Sequence, residues 1–229
     1  MERNELVLLR LSNQYLLRTG ERMEVLRAMN GFQAQFLSNA LHAMRLRCAA
    51  YDTAHAADSL VKSWTLRGTM HIFAEADLPL FLHTGCRYRS RDWTVPSFWN
   101  QRPNWALTPK RQAYFSDLII DALAQGPMTR EALKARCRAA GMTQAEEGSI
   151  FHPWGGGIRE LCERGFLCGT VSEEKAFRLC PAFTPMEEQD ALLEQTRRYF
   201  TNYGPASIRD AAYYFGTSQA EIEKRLARL

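Results

Sequence analysis

The sequence lacks a long apolar run. None of its hydrophobic stretches approaches the roughly 20 residues that a membrane-spanning helix requires. The amino-terminal residues are charged and lead into an amphipathic segment, which is not the pattern of a secretory signal peptide. We therefore expect a cytoplasmic protein with no membrane segment.

The sequence also lacks the motifs of common metal and nucleotide sites. Its six cysteines include no Cys-x-x-Cys pair, and its five histidines do not stand beside them at ligand spacing. We expect reduced, mostly buried thiols and no metal or organic cofactor. The triplet Gly155–Gly157 lacks the spacing and the Lys-Ser/Thr of a P-loop, which argues against nucleotide binding. At the start of a helix, Gly155 and Gly156 can still bring a phosphate close to backbone N–H groups, although a plain loop is the alternative.

A strong excess of charge of one sign is absent as well. The net charge of +4 permits a polyanionic partner but does not require one. Arginines occur in clusters, and the guanidinium fork suits phosphate. Solvated helix faces are the alternative interpretation. The clusters contain Arg45 and Arg47; Arg87, Arg89 and Arg91; Arg130, Arg136 and Arg138; and Arg197 and Arg198.

The amino-terminal third combines helical patterns with one strand pattern. Amphipathic periodicity predicts helices over 5–18, 21–29 and 36–47, and a lesser helix over 51–61. From Ser63 to Phe73 apolar and polar residues alternate, which indicates β structure, and Gly68 suggests a bulge or a turn. One face is then core, and the other carries Thr65, Arg67, Thr69 and His71. Helices followed by a small β element are typical of a winged helix.

The rest of the chain repeats this order. Thr108 and Pro109 begin a helix that runs to 125, helices follow over 130–140 and near 158–164, and 166–170 with 176–180 form a hairpin. A last group of helices opens at Thr184-Pro185. The pattern Gly-Pro-x-Ser/Thr occurs at 126 and again at 204, which is 78 residues later. We expect a mainly α protein with small β wings, built from tandem winged-helix repeats.

These patterns suggest three domains. We place the first at 1–107, including a connector whose three tryptophans indicate packing, the second at 108–183, and the third at 184–229. The third has helices but no wing. We therefore expect either a fragment of a longer protein or an unusually short third domain.

Gln33 and Gln35 are separated by one small residue and follow Gly31. On a helix their side chains would point about 200° apart, whereas in an extended segment they would point the same way. Gly31 makes a break before the helix plausible. Two surface amides before a core helix are the simpler interpretation.

Three features together resemble the AlkZ/YcaQ family of winged-helix DNA glycosylases. They are Gln33-Ala34-Gln35, the segment Trp64–His71 and the repeated Gly-Pro-x-Ser/Thr helix starts. The resemblance implies three winged helices forming a basic DNA-binding cleft, followed by a β-barrel that this sequence does not contain. It also implies removal of N7-alkylated purines or unhooking of their cross-links. The family has a Gln-x-Gln branch and a Gln-x-Asp branch, and this sequence resembles the former.

The resemblance implies roles for Gln33 and Gln35, and the residue patterns suggest further candidates. Gln33 and Gln35 are the expected catalytic pair, acting on double-stranded DNA as a monomer. Candidates for DNA or substrate contact are Arg45, Arg67, Thr69, His71, Gly155, Gly156 and Lys175, and the hairpin tip Val171–Lys175 is a candidate minor-groove probe. For Arg67, Thr69 and His71 a structural role is equally consistent with the pattern.

Two other functions fit the same sequence. Tandem winged helices also occur in transcriptional regulators without catalysis, which would bind DNA but tolerate substitution at Gln33. A protein-interaction module would show no salt-dependent DNA binding.

Overall fold

The computed structural model describes residues 2–50, 57–82, 91–172 and 174–229. Backbone contacts divide the chain into two compact units, one of residues 1–83 with 183–229 and the other of residues 84–182. Both units are mainly helical with short antiparallel strands, as the sequence predicts. The finer division into winged-helix domains at 1–107, 108–183 and 184–229 stays a prediction.

The first unit begins with short helices around antiparallel strands. β3 pairs with β1 on one side and with β2 on the other. A 3-10 turn at Leu66–Gly68 closes the β2–β3 hairpin, so Gly68 marks a turn, as expected. The elements are α1 (Arg3–Asn13), α2 (Arg22–Ala28), β1 (Phe32–Gln33), α3 (Leu37–Arg45), β2 (Leu60–Trp64), β3 (Met70–Ala74) and α4 (Leu78–Phe81).

The second unit contains four helices and three strands within its described residues. β6 pairs with β5 and with β4, which confirms the predicted hairpin. Thr108 and Thr129 accept hydrogen bonds from backbone N–H groups three residues later, so both predicted helix caps form. The elements are α5 (Pro109–Leu123), β4 (Met128–Thr129), α6 (Arg130–Ala139), α7 (Gln144–Ile150), α8 (Gly156–Glu163), β5 (Leu167–Gly169) and β6 (Ala176–Leu179).

The connector before α5 packs inside the second unit. Trp93 and Trp99 are 3% and 2% exposed, which confirms the prediction for two of the three indoles, while Trp105 is partly exposed. The guanidinium of Arg164 lies 4.1 Å from the centre of the Trp93 ring and 2.6 Å from the Glu160 carboxylate. The arginine charge is therefore balanced where it is buried.

Three helices complete the first unit, namely α9 (Glu188–Tyr203), α10 (Ile208–Phe215) and α11 (Gln219–Leu226). Ser207 and Ser218 cap α10 and α11 by accepting from the backbone of Asp210 and Glu221. Arg198 of α9 binds both carboxylate oxygens of Asp77, at 2.8 and 3.0 Å, and so ties α9 to the segment before α4.

Helix α1 differs from the prediction. The periodicity predicts a helix to residue 18 with Leu6, Leu9, Leu16 and Leu17 facing inward. The helix ends at Asn13 and contains no buried residue, and Leu9 and Leu17 are 45% and 58% exposed. Helical periodicity identifies an apolar face, but it does not determine whether another element covers that face.

Three further element predictions need correction. The end of the predicted 51–61 helix begins strand β2, while residues 51–56 lie outside the described residues. Helix α7 is missing from the prediction, although Thr143 with Glu146 three residues later is a capping box that signals it. Helix α9 starts at Glu188 rather than at Thr184-Pro185, with Glu187 as its N-cap.

No helix in the described part of the chain is long and apolar enough to cross a membrane. Among the residues described here, no group of three or more His, Cys, Asp or Glu side chains is arranged to hold a metal ion.

Candidate active site

Gln33 and Gln35 lie between α2 and α3, with Gln33 at the end of strand β1 and Gln35 in the bend that follows it. Phe32 and Ala34 are buried, whereas both glutamines are exposed. The Ala34 N–H donates to the Met70 carbonyl at 2.7 Å, which keeps the segment paired with β3 beyond Gln33. Residues two apart on an extended chain point to the same side, but the chain bends at Gln35, so the common direction of the two amides stays a prediction.

Gly31 sets the direction of this segment. Its φ is +77°, and its N–H donates to the Leu26 carbonyl at 2.8 Å, which ends α2. A Cβ atom at position 31 would lie 2.6 Å from the carbonyl oxygen of Ile72. Glycine is therefore required both for its left-handed backbone and for the close approach of β1 to β3.

Helix α9 supports the turn in front of the glutamines. Asn30, also left-handed at φ +54°, donates from its side chain to the Gln195 carbonyl at 3.0 Å. The Tyr203 hydroxyl donates to the Met29 carbonyl at 3.1 Å. The entry to β1 is thus held by two hydrogen bonds from one long helix, and it does not depend on local sequence alone.

Gln33, His71 and Ser63 form a row across three strands. Gln33 is opposite His71 in the β1–β3 pairing, and His71 is opposite Ser63 in the β3–β2 pairing. Directly opposite residues project to the same face of a sheet. Because Ala34 and Met70 form a hydrogen-bonded pair, the neighbouring Gln33 and His71 form the closer type, with Cα atoms about 4.5 Å apart.

His71 is a buried, neutral histidine. It is 6% exposed, and burial lowers its pKa to about 4 against the opposing effect of the Thr69 carbonyl. Its Nδ1 lies 3.1 Å from that carbonyl, which can only accept, so Nδ1 carries the proton. In the neutral ring Nε2 is therefore an acceptor. The polar face of the strand, on which His71 was predicted to lie, is therefore not accessible to solvent at this position.

Two hydroxyl groups on the same side of the hairpin are buried and unpaired. Ser63 Oγ and Thr65 Oγ1 have no hydrogen-bond partner among the described residues. The Thr69 hydroxyl, in contrast, donates to the Leu66 carbonyl at 3.0 Å and stabilises the turn. The row beside Gln33 therefore contains polar atoms with unused hydrogen-bonding capacity, whereas Thr69 already has an internal partner.

The two basic candidates of the first unit are both exposed. Arg45 lies in the last turn of α3, ten residues after Gln35. Arg67 lies at the tip of the β2–β3 hairpin with φ +53°, an unusual conformation for a residue other than glycine. Their roles in DNA contact stay predictions.

The remaining candidates lie in the second unit. Lys175 is exposed in the β5–β6 connection. Gly155 and Gly156 are buried at the start of α8, and a Cβ at position 156 would lie 2.2 Å from the Ser149 carbonyl oxygen. Close packing thus explains the glycine at 156 without a phosphate, and phosphate contact at these positions stays a prediction.

Three residues near the site were not identified from the sequence. Asn30-Gly31 is a helix-ending signal, so the role of Asn30 could have been predicted from the sequence. The burial of Ser63 and the position of Tyr213, whose ring centre lies 5.9 Å from the Arg67 guanidinium, depend on contacts between distant segments. Local periodicity does not contain that information.

Comparisons with known proteins identify a relative in sequence and a similar solved structure. The chain is similar to an interstrand DNA cross-link repair glycosylase from Streptomyces sahachiroi, with 30% identity over 202 residues. That match covers 81% of this chain and 52% of the relative, so the chain spans about half the relative's length. The fold is similar to that of the Streptomyces sahachiroi DNA glycosylase AlkZ, with a TM-score of 0.72 and 23% identity over 100% of this chain and 65% of that chain.

A sequence model of the AlkZ-like DNA glycosylases matches residues 26–229. The match includes the paired glutamines, the β2–β3 hairpin and all three carboxy-terminal helices. On this evidence the chain belongs to the AlkZ-like DNA glycosylase family.

Proposed function

We propose that this protein is a DNA repair glycosylase that hydrolyses the N-glycosidic bond of N7-alkylated purines, or of the cross-links they form. Gln33 and Gln35 are its catalytic residues. The observation that carries the proposal is that both side chains are exposed on the short segment between α2 and α3, with no hydrogen-bond partner among the described residues. Family membership and the activity named for the Streptomyces relative support it.

The chemistry suits neutral amides. An N7-alkylated purine carries a positive charge and leaves without prior protonation, so no general acid is needed. The site must position water and stabilise an oxocarbenium-like sugar. The Oε1 atoms of Gln33 and Gln35 accept hydrogen bonds from water and present partial negative charge to the sugar.

DNA binding in this proposal uses the exposed cations. Arg45, Arg67 and Lys175 contact phosphates, and the tip at 171–175 approaches the minor groove. The three groups of helices act as winged-helix repeats. Because phosphate contacts release counterions, affinity for DNA falls as the salt concentration rises.

The test is base release from a duplex with one N7-methylguanine, followed by alkaline cleavage of abasic sites. The full chain is compared with Gln33→Ala, Gln35→Ala and Gln125→Ala, an exposed glutamine of the second unit that serves as the matched control. We expect each of the first two substitutions to slow release by about 10²- to 10³-fold, the scale of losing one preorganised dipole. Gln125→Ala should match the wild type.

The alternative functions give different results. Sequence-specific DNA binding without base release, unchanged in the Gln33 and Gln35 variants, indicates a regulator. An absence of both release and salt-dependent binding indicates a protein-interaction module. Either result overturns the proposed activity on this lesion.

A further inference from the structure

Helix α10 presents an exposed tyrosine between two arginines. Tyr213 is 81% exposed, the highest value among the large apolar and aromatic side chains reported for the described residues. Arg209 is exposed one turn earlier, at the i, i+4 spacing that places it on the same face. The Arg67 guanidinium lies 5.9 Å from the centre of the Tyr213 ring. We call Arg67, Arg209 and Tyr213 the α10 patch.

Arg67 reaches this patch from a backbone conformation that favours glycine. Its φ and ψ are +53° and +21°. The left-handed region costs a residue with a Cβ about 1–2 kcal/mol relative to its usual conformation. The Arg67 side chain lies against Gly216, where a Cβ would be 3.1 Å from Arg67 Cγ. The arginine thus occupies a strained position that brings its charge to α10.

The positive charges of the patch are only partly offset, by the Asp210 carboxylate, whose pKa is lowered chiefly by its hydrogen bonds to Ser207 and also by the charge of Arg209. Neither Arg67 nor Arg209 forms a salt bridge with any described residue. The neighbouring carboxylate on α10, Asp210, accepts from the N–H and hydroxyl of Ser207, at 2.9 and 2.8 Å, as part of the helix cap. Two cations beside an open aromatic ring are complementary to a polyanion with planar bases.

Arg67 also has a structural role in the free protein. α10 has no basic residue in its own last turn, so the guanidinium near its carboxy-terminal end offsets the helix dipole. A test of the patch must therefore separate DNA binding from folding.

We propose that the α10 patch is a DNA contact in which Arg67 and Arg209 bind backbone phosphates and Tyr213 stacks on a base displaced from the duplex. This inference rests on the proposed function. Stacking on an exposed aromatic side chain is the usual way in which proteins hold an unstacked base, and an adjacent arginine strengthens it.

The test is fluorescence anisotropy with the full chain and two duplexes, one fully paired and one with a single bulged base. Tyr213→Ala should weaken binding to the bulged duplex roughly tenfold, with a smaller effect on the paired duplex, and Tyr213→Phe should bind as the wild type does. Tyr114→Ala is the matched control, because Tyr114 is 48% exposed with an arginine also 5.9 Å from its ring.

The arginines are tested through the salt dependence of binding. Arg67→Gly and Arg209→Gln should each reduce the slope of log affinity against log salt by about one unit. Arg67→Gly suits the left-handed backbone, so its melting temperature should equal or exceed that of the wild type, which separates binding from folding.

Three results of these experiments would overturn the α10 patch, and they differ in what they imply for the proposed function. Wild-type base release together with unchanged DNA binding by Tyr213→Ala and Arg67→Gly overturns the α10 patch and the proposed phosphate contact of Arg67, and leaves the proposed glycosylase activity intact. Equal losses in Tyr213→Ala and Tyr114→Ala also overturn it, because the effect is then not specific to the patch. If the wild type releases no base and binds no DNA, both the proposed function and the patch fail.

Discussion

The side-chain amide of Asn30 donates to the main-chain carbonyl of Gln195 across 165 residues of sequence, at 3.0 Å. Asn30 is 1% exposed and stands three residues before Gln33. Gln195 in turn donates from its side chain to the Leu80 carbonyl at 2.8 Å. The position of the candidate catalytic amides therefore depends on a helix close to the other end of the chain.

Asn30→Ala should lower the free energy of unfolding by about 2–4 kcal/mol. The change removes a buried hydrogen bond and leaves the Gln195 carbonyl without that donor, at about 1–3 kcal/mol, and it forces alanine into a left-handed conformation, at about 1–2 kcal/mol. Asn30→Gly retains the backbone preference and should lose about half as much. Urea denaturation measures both; equal stability of Asn30→Gly and the wild type would show that the bond contributes nothing.

Gly31→Ala should reduce both stability and base release. A Cβ at this position meets the Ile72 carbonyl oxygen at 2.6 Å, so β1 must move away from β3 and take Gln33 with it. Gly141→Ala is the matched control, since its φ of +83° is similar but nothing lies within 4 Å of the added Cβ. The control should show only the conformational cost, about 1–2 kcal/mol, and unchanged activity. Equal effects of the two substitutions would contradict the close-contact explanation.

His71 should make stability depend on pH in a defined window. Burial lowers its pKa from the ordinary 6.5 to about 4, so between these values the unfolded chain binds more protons than the folded one. The free energy of unfolding should therefore fall as the pH drops from 6.5 to 4, by up to about 3 kcal/mol. Above pH 6.5 the histidine is neutral in both states and its contribution is constant.

The control for this prediction is His71→Gln, which is neutral at every pH. Urea denaturation from pH 7.5 to 4.5 gives the difference in unfolding free energy between the variant and the wild type. The variant should lose less stability on acidification, because carboxylates titrate in both proteins whereas the histidine titrates in one. Parallel curves would show that His71 accepts a proton in the folded state near its ordinary pKa.

Gln35→Asp should retain base release from N7-methylguanine, whereas Gln35→Leu should lose about 10²- to 10³-fold. An ionised carboxylate keeps the water acceptor and adds negative charge for the oxocarbenium-like sugar, while leucine has neither property. Single-turnover release compares the two variants. Loss of activity in both would assign the role of Gln35 to its amide N–H groups and not to its oxygen.

Local signals were sufficient where a side chain acts on its own backbone. Thr129 and Ser207 cap their helices as the repeated Gly-Pro-x-Ser/Thr pattern predicts, because a cap needs only a hydroxyl and the N–H three residues later. The common direction of Gln33 and Gln35 is expected from their spacing after Gly31 and stays a prediction. The roles of these glutamines in catalysis stay a prediction until base release is measured.

Contacts between segments that are distant in the sequence determined the remaining features of the fold. The sequence by itself determined where most of the capped helices and the β5–β6 hairpin form, because propensities and caps act within a few residues. It did not determine that α1 leaves its apolar face exposed, that β1 pairs with a strand almost 40 residues later, or that Arg67 lies against Tyr213. Those features depend on which distant segments meet, and only the tertiary structure brings Gln33, His71 and the support from α9 to one place.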